Sequence, residues 1–431
     1  MSEILAIIAL IVFIITAKRN LVWALGLVIF LLPSYLWRLD FFGLPSTFLE
    51  LMIVTLFILW LVKNKLFSRI NWRLLKKSSN PLPKAWRYLL SLWLVVSLIA
   101  LAVNFDLAAL GLWRAYFLEP LFFFLVFIYT VKNQQDRNLI MYAMGGLVIW
   151  LAAIAIWQDF TAWNLPAAYD LPNARRLTAV FSYPNALSLL IAPITAWFAG
   201  LWLVSKNKTK HLAFLGVIFL GFLLLILAKS EGAILALVVS LLIYIFTVRL
   251  PRFFKPSLLI IALVVILLTP MKGYLQSMPR QILDPHPQPP VTSLEIRGHQ
   301  WSETGDLLAD HWLVGAGING YQKMMAAYHH LPWLEIYLYP HNIFLNFWVE
   351  LGLFGLLLFV FILIYLFKTC YILLKSKHQL AWPIILAWTT WLVHGLVDVP
   401  YFKNDLSILF FVLLAWTILS ARDNRASSIV K

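Results

Sequence analysis

The sequence predicts an all-α fold: a polytopic bundle of 12–13 transmembrane helices with one large extracytoplasmic loop that contains short helices. Three observations predict it. Of 431 residues, 62% are hydrophobic and only 12% charged, whereas about a quarter of a soluble domain is charged. Apolar runs recur from end to end, each close to the ~20 residues that cross a bilayer. The loops between them alternate between strongly basic and poor in basic residues, the signature of a chain threaded back and forth.

Thirteen spans fall at about 3–17, 20–36, 47–62, 86–103, 112–131, 138–157, 184–204, 211–228, 231–248, 256–270, 342–367, 380–397 and 405–420. The first is short, and without it the count is twelve. It lacks a basic n-region and a small-residue cleavage site, so it is expected to be a retained helix rather than a signal peptide. The loops after every odd-numbered span, together with the C-terminal tail, hold 24 of the 34 lysines and arginines, with only Asp136 and Asp423 as acids. Cytoplasmic loops carry that excess, which predicts an external N-terminus and a cytoplasmic C-terminus. The net charge of +15 is thereby explained by topology and by contact with anionic lipid, not by nucleic acid. Cys370, the single cysteine, forms no internal disulfide and no zinc-site pattern.

The chain divides into helices over 1–270, an extracytoplasmic loop over 271–340, and helices with a cytoplasmic tail over 341–431. The loop opens with DPHPQPP (Asp284–Pro290), which proline keeps non-helical. Helical character follows over Ser293–Asp310 and again around Tyr321–His329. GAGING (Gly315–Gly320) matches GxGxxG but lacks the strand, the βαβ context and the downstream acid of a dinucleotide site, and is expected to be a turn. Six of the nine histidines are external, none with metal-site spacing.

Ionisable residues cost free energy near a bilayer and mark functional sites by default. Here they gather at the predicted outer ends of the spans. Arg114 and Glu119 lie five apart, poor spacing for a pair on one α-helix, so each is expected to seek a partner elsewhere. His394 and Asp398 are four apart and suited to a local pair. Arg175 and Arg176 lead into the seventh span, and Arg297 precedes Trp301 by one helical turn. Their guanidinium forks suit either phosphate or lipid head groups. In YPHNIFLNFWVELGLFG (Tyr339–Gly355), helical spacing puts His341, Leu345, Trp348, Gly352 and Gly355 on one face and Asn342, Asn346 and Glu350 on another. His341, at the expected outer mouth, is positioned for proton transfer.

His341-Asn342, nine residues, then Gly352–Gly355 resembles the H-[NSQ]-x9-G-x-x-[GTY] pattern of O-antigen ligases, and of the related O-antigen polymerases and bacterial O-oligosaccharyltransferases. RLTAVFSYPN (Arg176–Asn185) is similar to the family's R-x-x-G-x-F-x-x-P-N segment, with Ala179 in place of glycine. HWLVGAGINGYQ (His311–Gln322) resembles its P-L-x-G-x-G-x-x-x-F stretch. The likeness spans roughly Arg176 to Phe359. One departure is Lys229-Ser230-Glu231-Gly232-Ala233, where the family often has Ser-Arg-Gly-Ala; Lys229 then has to stand in for that arginine, or the donor differs.

The resemblance implies a GT-C-like membrane glycosyltransferase. It implies transfer of a glycan from a polyprenyl (undecaprenyl) diphosphate donor to an acceptor hydroxyl, with inversion and with no nucleotide sugar, metal or other cofactor. The acceptor is a lipid A core, another glycan or a protein. On this reading His341 is the base, and Arg176 and Arg297 neutralise the leaving diphosphate. Arg175 and Lys229 join them at the donor, while Asn342, Asn346, Glu350, Arg114 and Glu119 give polar support. The reading from another class is a transporter of anions or lipid-linked sugars. It lacks the paired broken helices of two related halves.

Overall fold

The computed structural model describes residues 2–41, 44–65, 82–171, 174–247, 293–331 and 334–429. The tenth expected span, the proline-rich stretch and His286 lie outside them. The fold is all-α, and the other twelve expected spans are helical. They are α1 (Ser2–Arg19), α2 (Leu21–Phe30), α3 (Phe48–Lys63), α4 (Lys84–Val103), α5 (Leu107–Thr130), α6 (Gln134–Thr161), α7 (Pro184–Val204), α8 (Lys208–Leu227), α9 (Glu231–Thr247), α12 (Ile343–Lys375), α13 (Ala381–Gly395) and α14 (Asn404–Ile429). Two further helices, α10 (Ser293–Asp310) and α11 (Tyr321–Met325), come from the long loop. Seven helices (α4–α8, α12 and α14) are long and apolar enough to cross a membrane by themselves. The sole sheet among the described residues is a hairpin, β1 (Arg38–Phe41) against β2 (Leu44–Thr47); it extends what the sequence assigned to a plain connection.

Burial ranks the helices. α14 and α7 are enclosed along most of their length, while α8 and α4 expose an apolar face. Close approach fixes the centre: a Cβ on Gly200 of α7 would sit 2.4 Å from the Pro383 Cα of α13, so only glycine permits that contact. α14 is held at both ends. At one, Asn404 Nδ2 donates to Glu50 Oε1 at 2.9 Å. At the other, Asp423 pairs with Arg137 of α6 at 2.5 Å, joining two loops that the charge pattern assigns to the same side.

Two helices depart from α geometry. In α5 the backbone widens to a π-turn over Arg114–Leu118. That corrects the expectation that Arg114 and Glu119 do not pair with each other. A π-turn brings residues five apart onto one face, and Arg114 Nε lies 2.9 Å from Glu119 Oε1. The same guanidinium also reaches Glu50 at 2.5 Å. In α12 the helix breaks at Gly352, whose φ of 70° and ψ of −177° are not helical. The turn over GAGING fills the break: Leu353 N donates to Leu313 O at 3.0 Å and Ala316 N to Val349 O at 2.7 Å. The backbone groups freed by the break are thus satisfied within protein, as an apolar setting requires.

Candidate active site

The site forms where three irregular segments meet at one end of the bundle. His341 does not lie on α12, which corrects the helical-face assignment. The helix starts at Ile343, and Asn342 is its N-cap, with Oδ1 accepting from Phe344 N and Leu345 N. His341 sits just before it with a left-handed φ of 46°, a conformation uncommon outside glycine and frequent at functional positions. The break at Gly352 removes the second half of the expected stripe as well.

That backbone turn aims the imidazole at Asp398, in the loop between α13 and α14; His341 Nδ1 lies 3.2 Å from Asp398 Oδ1. Asp398 therefore pairs with His341 and not with His394, whose Nδ1 is buried without a hydrogen-bond partner among the described residues. Burial alone would raise the Asp398 pKa. The hydrogen bond from His341, the nearby His341 and His394 rings and the Val399 N–H outweigh it and hold the carboxyl at about 2. An ionised Asp398 only accepts, so Nδ1 of His341 carries the hydrogen that faces it.

The donor chain continues on the other oxygen. Asn185 Nδ2 donates to Asp398 Oδ2 at 3.1 Å, and Arg176 donates an Nη2 hydrogen to Asn185 Oδ1 at 3.1 Å. Arg176 Nε donates to Ala228 O at 3.0 Å, which ties its loop to the end of α8. Burial lowers the Arg176 pKa, and nearby Tyr169 and Glu231 oppose that shift. Ala179, in the place of the pattern's glycine, takes a φ of 52°. Its N–H and carbonyl are both held by the buried Gln158 amide, which explains why glycine suits this position.

Arg297 arrives from α10. Its Nε donates to Val397 O at 2.7 Å, next to Asp398. One turn on, Trp301 Nε1 donates to Pro340 O at 2.9 Å, next to His341. Asn342 Nδ2 donates to Leu396 O at 3.1 Å and closes the ring of contacts. Tyr337 and Tyr339 present their rings edge-on to the imidazole, and the Tyr339 hydroxyl meets that of Tyr183 at 3.0 Å.

The structure thus brings together His341, Arg176, Arg297 and Asn342 from the sequence-derived set. Lys229, with a φ of 50° at the end of α8, follows the Ala228 carbonyl that Arg176 holds. Other members lie apart. Arg175 is committed to Asp170 at 2.7 Å and to the Asp159 carbonyl. Glu350 is buried and accepts from Asn319 N at 3.0 Å, so it secures the glycine turn. The buried Asn346 amide makes no hydrogen bond among the described residues. Arg114 and Glu119 belong to the Glu50 cluster.

Three residues were missed by sequence reasoning: Asp398 in this role, Asn185 and Lys403. The Lys403 ammonium lies about 5 Å from the ring centroids of Tyr35, Phe181 and Tyr183 and has no hydrogen-bond partner among the described residues. Burial lowers its pKa, against the pull of Asp405 and Asp398. A charged residue two before the last expected span was the only signal for it.

Residues 216–360, from α8 to the first part of α12, match the family model described as O-Antigen ligase. This segment belongs to the O-antigen ligase family. An O-antigen ligase segment of this kind implies, in broad terms, a membrane enzyme of glycosyltransferase type with a lipid-linked glycan and an acceptor as partners. His341, Arg297 and the Gly352 break all lie inside the matched O-antigen ligase segment, while Arg176, Asn185 and Asp398 lie outside it. No curated protein matches the chain.

Proposed function

We propose that the protein transfers a glycan from a polyprenyl diphosphate donor to an acceptor hydroxyl, without a metal and with inversion, at the outer face of the cytoplasmic membrane. The observation that carries this reading is the chain Arg176–Asn185–Asp398–His341, which couples a candidate diphosphate cation to a candidate base. Asp398 fixes the hydrogen on Nδ1, so Nε2 accepts the proton of the acceptor hydroxyl. The acceptor oxygen forms a bond to the anomeric carbon as the carbon–oxygen bond to the diphosphate breaks. The bonding pair leaves with the polyprenyl diphosphate, whose charge Arg176 and Arg297 offset. Attack from the face opposite the leaving group inverts the anomeric carbon.

Ligation to a lipid A core is preferred over polymerisation or protein glycosylation because the histidine–glycine pattern is complete in this chain. The test is transfer by purified protein in nanodiscs, supplied with an undecaprenyl diphosphate glycan and with lipid A core, lipid-linked glycan or peptide acceptors. Product forms with one acceptor and is lost in a folded His341→Ala variant. Wild type that glycosylates none of them, yet moves the donor across vesicles, would overturn the reading.

A further inference from the structure

We infer that the segment Trp312–Ile318 is re-entrant: it dips into the hydrocarbon of the bilayer and presents Trp312, Leu313 and Val314 to lipid acyl chains. By sequence this stretch belongs to an aqueous loop. Two helices place it deeper, independently of each other.

The first measure comes from α12. Leu313 O accepts from Leu353 N, and a Cβ on Gly352 would lie 2.4 Å from that same oxygen. The segment therefore sits at the level of residues 352–353. Between Glu350 and Lys368, α12 carries no charge. Gly352 is sixteen residues before Lys368, about 24 Å at 1.5 Å per residue. The hydrocarbon core is ~30 Å thick, so this level falls inside it.

The second measure comes from α4. Ile318 N donates to Ala100 O at 3.3 Å, and Asn104 Nδ2 donates to Ile318 O at 2.8 Å. No charge lies between Arg87 and Asp106. Ala100 is thirteen residues beyond Arg87, about 20 Å along the helix. Tilt shortens both heights and sets the segment deeper still.

The backbone is suited to such a place. Gly315 N donates to His311 O, Ala316 N to Val349 O and Gly320 N to Gly317 O, while the Trp348 indole donates to Trp312 O at 2.6 Å. Irregular backbone occurs at membrane depth only where it is buried in protein or lines a water-filled cavity; the bonds hold Ala316 against α12 and Ile318 against α4, so that the side chains of Trp312, Leu313 and Val314 are what face outward. The side chains agree: Trp312, Leu313 and Val314 are 53%, 42% and 43% exposed, beside Phe354 and Leu357 of α12 at 63% and 53%. Together they continue the apolar face that α12 turns outward. Acyl chains fit that surface; water does not.

The test reads location rather than activity, so its result stands whether or not the proposed transfer reaction is correct. Nitroxide labels are placed on Trp312→Cys and Val314→Cys, in a chain whose Cys370 is changed to alanine, and read in nanodiscs by power-saturation EPR. Oxygen, which partitions into hydrocarbon, is expected to relax both labels severalfold more than a water-soluble nickel chelate does. Phe361→Cys should give the same ratio and Ser302→Cys of α10 the reverse. Nickel access equal to that at Ser302→Cys overturns the inference, and so does exclusion of both relaxants, which means burial under protein. Leu313→Cys replaces either position if that variant is not monodisperse.

Discussion

Replacing Asp398 by asparagine changes one atom, and the hydrogen-bond directions around it dictate the consequence. Asp398 Oδ1 accepts from Val399 N at 2.8 Å and faces His341 Nδ1; Oδ2 accepts from Asn185 Nδ2. An asparagine must put its NH2 group on one side. On the Oδ2 side it meets the Asn185 NH2; on the other it meets the Val399 N–H and the imidazole. Turning the Asn185 amide over does not help, because its NH2 would then face the Arg176 guanidinium. Every arrangement leaves two donors opposed. Leaving a buried donor unsatisfied costs ~1–3 kcal/mol, and general base catalysis contributes about 10²- to 10⁴-fold. Transfer by Asp398→Asn is therefore expected to fall at least ~100-fold, measured as initial rate of glycan transfer in nanodiscs with saturating donor. Size-exclusion profiles confirm folding. A folded Asp398→Asn protein within about threefold of wild type, which is under ~0.7 kcal/mol, would refute the assignment of Asp398 as the group that orients His341.

Three further outcomes are expected. Arg176→Ala should abolish transfer, whereas Arg175→Ala should keep most of it, since Arg175 is engaged by Asp170 and Asp159; donor-dependent rates of the two variants separate them. Gly352→Ala should lower the thermal unfolding midpoint, with a cost of ~2 kcal/mol or more, because a left-handed φ strains alanine and its Cβ would strike the Leu313 oxygen. His329 has its pKa raised, chiefly by the hydrogen bond to Glu303 at 3.0 Å. Both its ring nitrogens face acceptors, the other being Leu334 O at 2.7 Å, so the protonated ring is the one that fits. That contribution is complete below the ordinary histidine pKa of ~6.5 and is lost as pH rises through the raised value. The unfolding midpoint should drop across that window in wild type and less in Glu303→Gln.

Much of the fold was legible because it rests on hydropathy and on the distribution of lysine and arginine, both local properties. The site was legible in part. Arg176, Arg297 and His341 stand out as costly residues near a membrane, and the structure gathers them. What escaped depends on backbone geometry that periodicity assumes away. Face arithmetic for Tyr339–Gly355 presumed an unbroken helix, yet His341 lies before it and Gly352 interrupts it. Spacing rules dismissed the Arg114–Glu119 pair because they presume 3.6 residues per turn, and the π-turn changes the period. Asp398 was visible but assigned to His394, since only tertiary structure brings a residue 57 positions away closer than one four away.

The double anchoring of α14 has a mechanical meaning. With Asn404 tied to Glu50 at one end and Asp423 to Arg137 at the other, this central helix serves as a stator. Rocking of one half of the bundle against the other, the movement by which alternating-access carriers work, would have to tear both ties. The segments that hold no regular structure, the Arg176–Tyr183 loop, the strap from Tyr337 to His341 and the Leu396–Lys403 turn, lie outside that stator. Of the residues proposed for catalysis, Arg176, Asp398 and His341 lie on these three pieces and Arg297 lies on α10.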